Sequence, residues 1–158
     1  MKSEEAWMSG HGGPTPEERL EELRADAVEE LARIDRDRET VRLIGLGWDD
    51  QRIAERLGRR LGVVRSIRDQ VARGEEVRPL SPRELGLRRT VGEISTQEMM
   101  EQLRAWPYTF GELHYDFYDG GSWDEVIGLR AVGHITREEC AELRTFADRL
   151  RPADEQPE

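Results

Sequence analysis

Apolar residues recur at helical spacing along most of this chain. One apolar residue in every seven marks the first long segment: Leu20, Ala27, Ile34 and Val41. Leu23 and Leu31 lie beside this line, as on the seam of a coiled coil or a bundle helix. Glu30 and Asp37 interrupt the second apolar position of the heptad. The pattern therefore predicts a long helix that packs either on its own domain or on a second subunit.

Helix starts are marked by Ser or Thr followed three residues later by Glu, an arrangement in which each side chain can bond the other residue's backbone amide. Such pairs begin at Thr15, Ser81, Thr109, Ser122 and Thr136. Pro16 and Pro82 occupy first helical positions, where proline is favoured. No alternating strand pattern competes with these signals. The chain is therefore predicted to be all-α, with helices near residues 110–118 and 123–132 among them.

The segment around residues 48–72 has the pattern of two short helices joined by a tight turn. Six positions are expected to form its core: Ile53, Ala54, Leu57, Val64, Ile67 and Val71. Ala54 is small enough to let the two helices approach closely. Gly58 follows the first helix at the position where a left-handed backbone conformation suits glycine. The spacing predicts a helix-turn-helix.

Residues 40–74 resemble the helix-turn-helix of LuxR-type regulators and of sigma-factor region 4. Leu43, Gly47 and the acidic pair Asp49–Asp50 match the family pattern of a helix, a glycine and an acidic start to the next helix. Arg59 and Arg60 stand where many members carry an apolar residue and then Ser or Thr. The resemblance implies binding of double-stranded DNA, with the second short helix in the major groove.

On this interpretation two sets of side chains are expected to contact DNA. Base edges are assigned to residues that project away from Val64, Ile67 and Val71: Arg65, Ser66, Arg68 and Asp69. Phosphate contacts are assigned to residues at the turn and on the flanking helix: Arg52, Arg59 and Arg60.

Charge is distributed unevenly along the chain. The formal net charge is -10, yet residues 33–73 carry 11 arginines against 7 acidic residues, a net charge of +4. A basic surface is the usual footprint of nucleic-acid binding, and here it coincides with the predicted helix-turn-helix. The acidic flanks would repel DNA, which favours a homodimer that doubles the phosphate contacts.

Composition shifts predict four segments. Residues 1–13 are a flexible tail, residues 14–78 hold the long amphipathic helix and the helix-turn-helix, and residues 152–158 are an acidic tail. Residues 79–151 form a small helical domain for oligomerisation or partner binding, with Met99, Leu103 and Trp106 on one helix face and Leu143, Phe146, Ala147 and Leu150 on another.

Seven aromatic residues concentrate between Trp106 and Trp123. They form either the core of a domain that is short of aliphatic residues or a recognition surface for a protein partner. The candidate partner surface comprises Trp106, Tyr108, Tyr115, Tyr118 and Trp123.

The sequence gives little support for a metal site or a reactive cysteine. The acidic residues after Asp116 miss the spacing of a calcium loop, and His11, His114 and His134 lie far apart without cysteine partners. Cys140 has acidic neighbours that disfavour a thiolate. We expect no metal, no cofactor and no enzymatic activity. No segment has the length and apolar character of a membrane span or a secretory signal, which predicts a cytoplasmic protein.

These observations favour a sequence-specific transcriptional regulator. Lys2 is the one lysine among 24 basic residues, a bias that points to a GC-rich bacterial or phage source. Two alternatives remain open at this stage. The chain is either an acidic adaptor that binds a component of the transcription machinery, or a DNA-binding protein of phage or plasmid packaging or partition.

Overall fold

The computed structural model describes residues 12–153, which contain seven helices and one two-stranded sheet. The helices are α1 (Pro16–Gly45), α2 (Asp50–Leu57), α3 (Leu61–Ala72), α4 (Pro82–Thr90), α5 (Thr96–Arg104), α6 (Ser122–Val132) and α7 (Arg137–Asp148). The strands are β1 (Glu112–Leu113) and β2 (Tyr118–Asp119). The all-α prediction is confirmed. Among the described helices none is both long and apolar enough to cross a membrane.

Parts of both predicted tails fall outside the described residues. These parts are residues 1–11, which include His11, and residues 154–158. The organisation described below therefore concerns the helical body of the chain.

Side-chain caps begin α1, α4 and α7 where the sequence predicted them. Thr15 and Thr136 form complete capping boxes with the glutamates three residues later. The hydroxyl of Ser81 accepts a hydrogen bond from the backbone N–H of Glu84. Ser95, which was not among the predicted starts, caps α5 in the same way. These starts depend on residues within one turn, so the local sequence suffices to determine them.

The prediction of a helix over residues 110–118 is wrong, because this segment forms a β-hairpin. Leu113 pairs with Tyr118 across the two antiparallel strands. Thr109 does not cap a helix: its hydroxyl accepts from the backbone N–H of Ser122 at 2.9 Å. The backbone N–H of Thr109 donates in return to the Ser122 hydroxyl, also at 2.9 Å. A long-range pair of hydrogen bonds has replaced the local capping box.

Gly121, rather than Ser122, caps α6. The Asp124 carboxylate accepts a hydrogen bond from the Gly121 N–H at 3.0 Å. A Cβ atom at position 121 would lie 2.3 Å from the carbonyl oxygen of Thr109. Only glycine allows the two ends of the hairpin segment to approach this closely.

The buried residues form three clusters, and α1 contributes to two of them. Near the C-terminal end of α1, Leu43 packs with Ile53 of α2 and Val64 of α3. In its middle, Leu31 packs with Leu87 of α4. The third cluster lies between α4, α5, α6 and α7 and includes Met99, Leu103, Val126, Leu129 and Leu143. Thus α1 connects α2 and α3 to the C-terminal half of the same chain.

The apolar seam of α1 is buried only in part. Ala27 and Ile34 are buried, Val41 is half-buried and Leu20 is 52% exposed. The other described helices therefore leave Leu20 uncovered. The reason is length: a helix of 30 residues spans about 45 Å, more than its partner helices cover.

Ion pairs hold the connector after α3 against α1 and α4. The guanidinium of Arg38 donates to the Glu84 carboxylate and, at 2.8 Å and 3.1 Å, to the carbonyl oxygen of Arg78. Arg78 in turn donates to Asp37 at 2.7 Å. Arg78 has a φ of 53°, a left-handed conformation that non-glycine residues seldom adopt. The hydrogen bonds on both sides of this residue hold the backbone there.

Candidate nucleic-acid interface

The C-terminal end of α1, with α2 and α3, forms a compact three-helix unit. Ile53 and Val64 are completely buried, and Ala54 and Leu57 pack against them. Gly58 follows α2 with φ 62° and ψ 39°, the left-handed conformation that the sequence predicted. Within this unit, α2 and α3 pack against each other and against the end of α1.

Two of the predicted core residues lie towards the edge of the unit. Ile67 is buried, whereas Val71 is only half-buried. Val71 therefore contributes less to the core than its spacing implied. It lies in the last turn of α3, next to the connector.

The outward face of α3 carries Arg65, Ser66 and Asp69, all exposed. Arg65 lies about 160° around the helix from the buried Ile67 and about 100° from Val64. Among the described residues, the Arg65 guanidinium has no hydrogen bond or ion pair. This side chain is free to contact a ligand outside the protein.

Arg68 is not free, which corrects the expectation that it reads base edges. Its Nε donates to Asp50 at 2.5 Å and its Nη2 to the carbonyl oxygen of Trp48 at 2.7 Å. Position 68 is one turn beyond the buried Val64, so its side chain lies over the seam between α3 and α2. Arg68 therefore holds α3 to the start of α2.

Arg59 is also engaged inside the protein, which corrects its assignment to phosphate binding. Its side chain is 12% exposed and donates to Asp37 at 2.6 Å and to the Thr40 hydroxyl at 3.0 Å. Burial raises the pKa of Asp37, but the hydrogen bonds from Arg78 and Arg59 outweigh it, so the pKa is lowered and the carboxylate stays charged. The sequence did contain a signal, because Arg59 stands where many of the regulators that residues 40–74 resemble carry an apolar residue.

Arg52 and Arg60 remain exposed, as a phosphate-contacting role requires. The Arg52 guanidinium lies 3.7 Å from the ring centroid of Trp48, a cation–π contact that holds it on the surface of α2. Arg60 occupies the N-cap position of α3 with extended backbone angles. Together with Arg65 they are the predicted arginine contacts that the tertiary structure leaves available.

The start of α3 differs from those of the other described helices. Ser, Thr or Asp side chains cap α1, α2, α4, α5 and α7. At the start of α6, the Asp124 carboxylate accepts a hydrogen bond from the backbone N–H of Gly121. No side chain caps α3, and its first turn contains no acidic residue. A Cβ atom at Gly62 in this turn would meet no other atom within 4 Å. The first turn of α3 is thus open, uncrowded and free of negative charge.

The candidate aromatic surface divides into a buried part and an exposed part. Tyr108 and Trp123 are buried and pack edge to face with ring centroids 5.1 Å apart, and Trp106 packs against the same core. Tyr108 and Trp123 belong to the interior, so their assignment to a partner surface is wrong, whereas Trp106 is half-buried at the edge of the core. Tyr115 and Tyr118 on the hairpin are exposed.

The described residues contain no group of three or more His, Cys, Asp or Glu side chains that could hold a metal ion. Cys140 is buried, and burial raises the pKa of its thiol. His134 is also buried, and its Nδ1 lies 2.8 Å from the Thr90 hydroxyl. Burial and the nearby Arg83 lower the pKa of His134, so the neutral form is favoured.

Comparison of the chain with protein families, curated proteins and solved structures finds no match in any of the three. The resemblance of residues 40–74 to known helix-turn-helix proteins therefore depends on the short motif alone. Function has to be argued from the geometry of the three-helix unit and from the side chains that it exposes.

Proposed function

We propose that this chain is a sequence-specific DNA-binding regulator that places α3 in the major groove. One observation carries the proposal: α3 exposes Arg65 and Ser66 on its outward face and begins with an uncapped first turn that has no acidic residue. The positive end of a helix attracts phosphate, and an exposed helix of this length fits the major groove. In this proposal the protein acts in a bacterial cytoplasm.

In this proposal the arginines of the unit have two roles. Arg65 reads a base edge, with guanine the usual partner of arginine in the major groove. Arg52 and Arg60 contact phosphates and set the register of α3 on the duplex. Arg59 and Arg68 act on the protein side, since their ion pairs hold α2 and α3 in place.

The negative charge of the rest of the chain repels DNA and so weakens non-specific binding. With phosphate contacts from two arginines, the affinity of each bound chain should fall with a log–log salt slope of about -2. Because so few phosphates are contacted, tight binding depends on base contacts and on a second copy of the chain. A two-fold dimer would read half-sites about 34 Å apart.

Arg65→Ala is expected to weaken binding to the preferred site by about 5- to 150-fold, equivalent to 1–3 kcal/mol, and to relax the base preference at one position. The preferred site is first selected from fragmented genomic DNA, and affinities are then measured by fluorescence anisotropy. Arg24→Ala is the matched control, because Arg24 is an exposed arginine on α1 about two dozen residues before α2. Equal affinity and equal base preference in the two variants would remove Arg65 from the interface.

Arg68→Ala provides a second comparison, since its ion pair with Asp50 is partly exposed. We expect a loss of about 1 kcal/mol in the free energy of unfolding, measured by urea denaturation, with the base preference of the protein unchanged. A change in base preference without a loss of stability would return Arg68 to the interface.

The acidic adaptor is the second candidate function, and the exposed hairpin favours it. Leu113, Tyr115 and Phe117 present apolar surface to solvent on a chain whose net charge is -10. An adaptor would bind no genomic fragment even at low salt, whereas the proposed regulator selects a consensus.

A further inference from the structure

The hairpin of residues 112–119 presents a concentrated apolar and acidic surface. Leu113 is 85% exposed, Tyr115 is fully exposed and Phe117 is 62% exposed. The acidic residues Glu112, Asp116 and Asp119 lie among them, and no Lys or Arg occurs between residues 105 and 129. An isolated two-stranded hairpin is marginally stable in water, so a partner that covers these side chains would stabilise it.

A groove of opposite character lies between α6 and α7. Its apolar surface comes from Trp123, Ile127, Cys140 and Ala141. Its rim carries Arg130, Arg137 and Arg144, and none of the described acidic residues lines it. The cavity volume of about 250 Å³ is sufficient for one aromatic side chain.

The three rim arginines lack the partners that other arginines of this chain have. Arg38, Arg59 and Arg88 all form ion pairs with carboxylates of the same chain. For the rim arginines the described residues provide no hydrogen bond or ion pair. The groove is thus a cationic, partly apolar site that lacks an anionic partner.

We propose that the hairpin of one copy of this chain occupies the α6–α7 groove of a second copy. An aromatic residue of the hairpin tip fills the cavity, and the hairpin carboxylates pair with the rim arginines. Two features that are open in one chain, the fully exposed Tyr115 and the unpaired arginine rim, cover each other in this arrangement. The surfaces are complementary in charge as well as in apolar character.

Reciprocal exchange gives a closed two-fold dimer in which both hairpins and both grooves are filled. The docked residues lie in the C-terminal half of the chain, away from α3. The inference therefore does not depend on DNA binding, and it is tested without DNA.

Sedimentation equilibrium of the full chain is expected to give a dimer, with twice the chain mass of 18.3 kDa. Two charge-reversal variants are each expected to weaken the dimer at least about tenfold: Arg137→Glu with Arg144→Glu in the groove, and Asp116→Arg with Asp119→Arg in the hairpin. An equimolar mixture of the two variants should restore the dimer, because each hairpin then meets a groove of opposite charge. Arg24→Glu with Arg36→Glu on α1 is the control, since it makes the same charge change on another exposed face.

Tyr115→Ala with Phe117→Ala tests the apolar contribution and should also weaken the dimer at least about tenfold. Circular dichroism of each variant verifies that the helices are retained. A chain that stays monomeric at about 100 µM would overturn the proposal. A dimer that tolerates both charge reversals, or a mixture that fails to restore association, would overturn it equally.

Discussion

Glu84→Gln is expected to lower the free energy of unfolding by about 3–5 kcal/mol, the cost of removing one partner from a buried ion pair. The side chain of Glu84 is 5% exposed and lies between two arginines. It accepts from Arg38 at 2.8 Å and from Arg88 at 3.1 Å and 3.2 Å. The neutral amide would remove the one carboxylate that pairs with Arg38 among the described residues, and one of the three that pair with Arg88. It would also place an N–H donor against a guanidinium group. Because a domain of this size has a total stability of about 5–15 kcal/mol, the loss is large.

The pH dependence of stability gives an independent measure of the same interaction. Burial raises the pKa of Glu84, but the hydrogen bonds from Arg38 and Arg88 outweigh this effect and lower the pKa below its ordinary value of 4.5. A depressed carboxyl pKa contributes stability that is present above the unfolded value and is lost as the pH falls through the folded value. The parent protein should therefore lose stability below about pH 4.5, and the Gln variant should lose less of it there.

Urea denaturation at pH 7 and pH 4 measures both effects. Glu22→Gln is the matched control, because Glu22 is exposed on α1 and forms no ion pair in the described part of the chain. If the Glu84 and Glu22 variants were equally stable at pH 7, the carboxylate would not be the link between α1 and α4.

Leu129→Ala is expected to lower the free energy of unfolding by about 2–5 kcal/mol. Leu129 is completely buried where α6 crosses α4. The crossing is so close that a Cβ atom at Gly86 of α4 would lie 2.5 Å from a methyl group of Leu129. Gly86→Ala alone should therefore be destabilising as well, although alanine has the higher helix propensity.

The double variant, Gly86→Ala with Leu129→Ala, tests whether these losses arise from the contact between the two positions or from a general weakness of α4 and α6. With Leu129 shortened to alanine, the added methyl group at position 86 occupies part of the vacated space. The double variant should then be more stable than the sum of the single changes predicts, by about 0.5–3 kcal/mol. Gly128→Ala is the control, because a Cβ atom there meets nothing within 4 Å and should be neutral or stabilising by up to about 1 kcal/mol. Additive single changes would contradict the proposed contact.

The ion pairs of Glu84 also matter for the proposed function, because they help to position the three-helix unit. Arg38 joins Glu84 to the carbonyl oxygen of Arg78, and Arg78 joins Asp37, which also binds Arg59 at the turn before α3. These contacts form a continuous path from α4 to the turn. Loss of Glu84 is therefore expected to loosen the unit as well as the core.

Several features of this protein were determined by the sequence alone. Thr15 and Thr136 cap helices, and Gly58 turns the chain with a positive φ, as their local patterns predicted. The burial of Ile53 and Val64 followed from their helical spacing. Each of these outcomes depends on residues within a few positions, or on a periodicity that any packed helix has to satisfy.

Only the tertiary structure decided which polar side chains remain available. Arg59, Arg65 and Arg68 were all predicted to contact DNA, yet only Arg65 lacks a partner among the described residues, because partners 22 and 18 positions away engage the other two. Thr109 had the pattern of a helix cap and bonded Ser122 instead, 13 positions later. A hydrogen-bond donor takes the acceptor that the fold brings near it, and that acceptor cannot be identified from the surrounding few residues.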